Sequence, residues 1–182
     1  MSSLDRRRSN HNHKQHPQHS SHSQHHLSGE RRDHRSVTAP PRSTRLLLIS
    51  SRARNKPVIY NAVRPEVKVL EYIYDSTTLE ELQSSVTKIL AGHKVSSIAM
   101  VLHSSERELF ICAPDESRLS LRSIVQDEKV RRFLTELVND LIDHTDWSAR
   151  VDFLATYMAE QIDGGLLAKE LEGMLGCQVG CK

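Results

Sequence analysis

Arg45-Leu46-Leu47-Leu48-Ile49-Ser50 is the point at which the chain changes character. Four consecutive apolar residues leave a strand no solvated side. The run therefore fits a strand buried on both faces, as in a parallel sheet covered by helices. Outward from it, residues 56–63 read as a short helix with Pro57 in the first turn. Val67 to Tyr74 is rich in β-branched and aromatic residues and reads as a second strand. Thr77 and Glu80 have the spacing of a capping box, in which each side chain satisfies the other's orphan amide. Leu79, Leu82, Val86, Ile89 and Leu90 then share one helical face, and Gly92 supplies the left-handed stop.

The alternation continues. Val95 to Leu102 is a third buried strand, and Leu109 to Cys112 is a short strand, half of a hairpin closed by Pro114. Asp127 caps a helix to about Ile142, with the stripe Val130, Phe133, Leu134, Leu137, Val138, Leu141 and Ile142. Arg150 to Tyr157 is a fourth strand. Gly164 and Gly165 introduce a last helix carrying Leu167, Leu171, Met174 and Leu175, stopped at Gly176, and Cys177 to Gly180 begins a fifth strand. Strands separated by crossover helices give a parallel sheet. The expected class is α/β, a mostly parallel sheet of four to five strands flanked by helices, over residues 45–182.

Residues 1–44 differ in kind. They hold Leu4, Leu27 and Val37 but no isoleucine or aromatic, and eight of the chain's eleven histidines. So little apolar surface cannot offset an ordering cost of about 1–2 kcal/mol per residue, so a disordered tail is expected. Hydrophobic content of 37% and aromatic content of 4% over the whole chain agree with an unfolded portion. Nine Lys+Arg against three Asp+Glu give residues 1–45 a charge of +6, leaving −4 for the rest of a chain whose net is +2. No apolar run approaches the roughly 20 residues of a membrane span. Three cysteines, Cys112, Cys177 and Cys181, do not make a disulfide framework. A reducing interior, cytoplasmic or nuclear, is the expected setting.

In an open parallel sheet, ligands bind beyond the carboxyl ends of the strands. His103 ends the third predicted strand, in Leu102-His103-Ser104-Ser105, and Tyr157-Met158 ends the fourth. Together with Glu108 to Ile111, Asp152 to Ala159 and Gly164 to Val179, these segments carry a resemblance. The span from about Arg45 to Gly180 resembles an uncharacterised domain near the N-termini of giant bacterial repeat-containing surface proteins. That domain is similar to the caspase–gingipain clan of cysteine peptidases.

The resemblance implies a caspase-like fold shortened at its C-terminus, with His103 at the general-base position. It also implies a lost activity. Met158 stands at the cysteine position, and a thioether forms no thiolate. Ser104 replaces the glycine that follows the histidine. The reading is then a noncatalytic interaction or scaffold module with an unidentified protein partner, using the edge of the final strand.

Other readings of the same residues stand beside it. His103 is otherwise a strand-end histidine bonded to backbone. Cys112, nine residues from His103, is either a relocated nucleophile of a cysteine hydrolase or a small buried hydrophobe. Cys177 and Cys181 lack a second ligand pair, so no metal site and no cofactor are expected. The histidine tail is either a weak chelator or a solvated segment. Its basic residues allow weak nucleic-acid or anionic-surface contact, without the aromatics that stack bases. Arg6-Arg7-Arg8-Ser9 matches a basophilic kinase site at Ser9.

Overall fold

The computed structural model describes residues 44–155 and 162–181. The expected tail with Ser9, and the expected strand end Tyr157-Met158, lie outside the described residues. Among those described, the elements run β1 (Arg45–Ser50), α1 (Lys56–Ala62), β2 (Val67–Tyr72), α2 (Leu79–Leu90) and β3 (Ser97–Val101). Next come β4 (His103–Ser104), β5 (Leu109–Cys112), β6 (Ser117–Leu119), α3 (Leu121–Gln126) and α4 (Glu128–Leu141). The last are β7 (Arg150–Leu154), α5 (Ile162–Leu175) and β8 (Gln178–Cys181). The fold is the expected α/β type. Five strands in the order β2-β1-β3-β7-β8 pair in parallel throughout. No helix among the described residues is long and apolar enough to cross a membrane.

The apolar run divides between the two faces of this sheet. Leu46 and Leu48 join the larger core with Ile98, Met100, Val151 and Phe153, and α2, α4 and α5 pack over it. Leu47 and Ile49 face the other way with Ala53 and Val101, against Ile59 and Val63 of the α1 segment. Each fully buried leucine contributes about 1.5–3 kcal/mol relative to exposure. The α4 stripe is buried as its spacing requires, from Val130 to Ile142. Asp127 caps it, accepting from the amides of Lys129 (3.0 Å) and Val130 (3.2 Å).

Several boundaries differ from expectation. The capping box of α2 is Thr78 with Glu81, one residue later than the predicted pair. Asp115 decides this by accepting from the Leu79 amide at 2.6 Å, which fixes where the helix begins. Ala91, at φ 50°, ends α2, and Gly92 follows at φ 81°. Helix α5 starts at Ile162, so Gly164 and Gly165 lie inside its first turn. β6 and α3 were not anticipated, because Ser117-Arg118-Leu119 is too short to show a period.

The hairpin inserted after β3 forms a separate antiparallel sheet, β4-β5-β6. It is pinned to the end of β2. The Tyr72 hydroxyl donates to the Ile111 carbonyl at 2.8 Å, and the Ala113 amide donates to the Tyr74 carbonyl at 2.9 Å. Leu82 is fully buried in the larger core. Leu82→Ala is expected to lower unfolding stability by about 2–5 kcal/mol, and Asp127→Ala by about 1 kcal/mol, measured by urea denaturation.

Candidate functional site

The sheet order places the topological switch point between β1 and β3. β1 leads outward to β2 on one side, and every later parallel strand lies on the other. The crevice at such a point is where open α/β sheets bind ligands. Its walls are the loop after β1, which begins Ser51-Arg52, and the segment Leu102-His103 after β3.

A continuous stack of side chains spans this rim. Asp75 takes Arg52 in a two-pronged pair, Nε to Oδ2 at 3.0 Å and Nη2 to Oδ1 at 2.6 Å. The Arg52 guanidinium lies 5.2 Å from the Tyr74 ring centre. Tyr74 meets the His103 ring edge-on, with centres 4.3 Å apart. His103 stacks on Phe110 at 4.9 Å, and Arg118 covers Phe110 at 5.7 Å. Glu108 closes the row, 3.4 Å from Arg118. Both ion pairs are solvent-exposed and contribute little by themselves. Their value is positional, since a paired guanidinium stays over its ring.

His103 lies at the expected rim, two residues past the strand it was expected to end. β3 ends at Val101, and His103 opens β4 opposite Phe110. It is half-buried, and its Nδ1 is buried without a hydrogen-bond partner, as is the Ser104 hydroxyl. Burial, then the Arg52 charge, lowers the imidazole's pKa, with Asp75 opposing. The ring is therefore neutral at neutral pH. Burial likewise raises the Tyr74 hydroxyl.

Cys112 is fully buried in the larger core. Strand alternation sets Phe110 on the His103 side, with Leu109 and Ile111 in the core. A bulge between Phe110 and Cys112 interrupts that alternation, so Cys112 is buried along with Ile111. Burial first, then Asp115 and Glu81, push its thiol up to about 12. Such a thiol carries no thiolate at neutral pH. Cys177, just before β8, and Cys181, its last residue, are free and half-buried. Burial also raises both, Cys181 to about 11. No group of three metal-ligating side chains occurs among the described residues.

No protein-family model matches the chain, and no curated protein or solved structure matches it.

Of the residues expected from the sequence, the rim holds His103 and Ser104, and Cys112 belongs to the core behind it. Arg52, Tyr74, Asp75, Phe110, Arg118 and Glu108 were missed as site residues. For Arg52 a signal existed, because it follows the carboxyl end of β1. For Phe110 and Arg118 none did, since hairpin pairing brings them in.

A histidine whose pKa is lower folded than unfolded stabilises the fold above its unfolded value of about 6.5. That contribution is lost as pH falls through the folded value. The urea midpoint of the chain is therefore expected to drop between pH 7.5 and 5.5. The drop should shrink in His103→Phe, which keeps the stack and removes the titration.

Proposed function

We propose that the chain is a noncatalytic interaction module of caspase-like α/β build. The observation that carries this reading is the packing of His103, held between Tyr74 and Phe110 with an arginine at each end of the row. A general base needs its nitrogen within about 2.6–3.2 Å of the proton it removes. Here one ring nitrogen is buried and the ring serves as a packing surface. The cysteine nearest in sequence, Cys112, is closed to solvent and protonated. Met158, at the cysteine position of the peptidases the sequence resembles, supports the same reading.

A filled rim suits contact better than turnover. It presents planar guanidinium groups and two carboxylates, and Ile73, next to Tyr74 in sequence, is 60% exposed. Such a surface offers a partner an apolar centre with charged flanks.

The test uses the full chain with a thiol-directed covalent probe and a panel of peptide substrates. The expected result is labelling at the same rate in the natural chain and in His103→Phe, with no peptide cleaved. Rapid labelling lost in His103→Phe, together with hydrolysis of a peptide, would overturn the proposal.

A further inference from the structure

The opposite ends of the strands carry a second, independent feature. The loop from α4 to β7, residues 143–149, presents Trp147, the single tryptophan of the chain, with 91% of its surface exposed. The loop is stiff. Asp143 accepts from the amide (3.0 Å) and hydroxyl (2.6 Å) of Thr145. Asp146 does the same for the Ser148 amide (2.8 Å) and hydroxyl (2.6 Å). Two further backbone bonds, Asp146 N–H to Asp143 O at 3.0 Å and Ala149 N–H to Asp146 O at 2.9 Å, close it. Trp147 is thus displayed on an ordered support, which lowers the cost of ordering on binding.

Beside the ring is a cavity of about 460 Å³, bounded by Trp147, Asp146, Glu172, Cys177, His144 and Gln178 among others. Its lining includes two carboxylates and no lysine or arginine. The bonds to Ser148 and to the Val179 amide (3.0 Å) engage one oxygen of Asp146 and one of Glu172. Asp146 is held below the usual carboxylate range, chiefly by Ser148 with a smaller pull from Arg45, so it is charged at neutral pH. A bare indole next to two carboxylates is complemented by a cation. The face of tryptophan is the best aromatic platform for a cation, and carboxylates supply the counter-charge.

We infer that this end of the domain recognises a cationic side chain, an arginine or lysine carried on a basic peptide of a partner protein. The cation lies over Trp147, with Glu172 and Asp146 as its ionic partners. Tryptophan is enriched among residues that dominate binding energy, which fits its isolated display here. The site stands on its own observations and does not depend on the proposal for the His103 rim.

The single tryptophan makes the test direct. The full chain is titrated with a hexapeptide of alternating arginine and glycine, and with its glutamate counterpart, while Trp147 emission is followed. A saturable change with the arginine peptide only is expected, weakening as salt rises. Anisotropy of the labelled arginine peptide then compares variants whose circular dichroism matches the natural chain. Trp147→Ala is expected to bind about ten-fold more weakly. Glu172→Gln keeps an acceptor for the Val179 amide and is expected to bind several-fold more weakly. The inference is overturned by no saturable change, by an equal response to the glutamate peptide, or by unchanged affinity in both variants. It is also overturned if Trp147 emission shifts with protein concentration alone, since that would make a second copy the occupant.

Discussion

The pairing of β1 with β3 is the constraint that the rest of the structure answers. Leu46 and Leu48 lie beside Ile98 and Met100 in register, and Leu47 and Ile49 point to the other side. A strand apolar on both faces is stable only if both are covered and every peptide group is bonded. β2 and β7 flank this pair and complete its hydrogen bonding. Crossovers of a single hand then divide the helices. The connection through α1 runs one way from β1, and the later ones run the other way. The two separate apolar clusters, one under α1 and one under α2, α4 and α5, are the result.

That same reversal of direction creates the crevice between β1 and β3 and sets what fills it. The hairpin after β3 forms its own sheet at the rim and is tied to β2 through Tyr72. Its inner side completes the core with Leu109, Ile111 and Leu119. Its outer side delivers Phe110 to His103. The β-bulge before Cys112 separates these roles, keeping the thiol with the core while the imidazole stays at the rim.

The two ends of the strands treat aromatic surface in contrasting ways. At the carboxyl end, Tyr74, His103 and Phe110 satisfy one another, and arginines close the row. At the amino end, Trp147 has no ring or guanidinium stacked on it among the described residues and lines a cavity with Asp146 and Glu172. A planar ring with its face unused next to negative charge is an incomplete version of the stack at the other end.

Local pattern determined much of this protein. The apolar run 46–49, the α4 stripe and the Asp127 cap are legible because buried faces and orphan helix amides impose fixed spacings. They give the α/β class, the parallel strands and the extent of α4. His103 was also legible, because the end of a buried strand is a definite place even when its boundary shifts by two residues. Its neighbours were not. Arg52, Tyr74, Phe110 and Arg118 come from four segments, and only strand order, hairpin register and one bulge bring them together. The fate of Cys112 was open for the same reason. A bulge reverses which side a residue faces, and it arises from pairing between strands, which no single stretch of sequence contains.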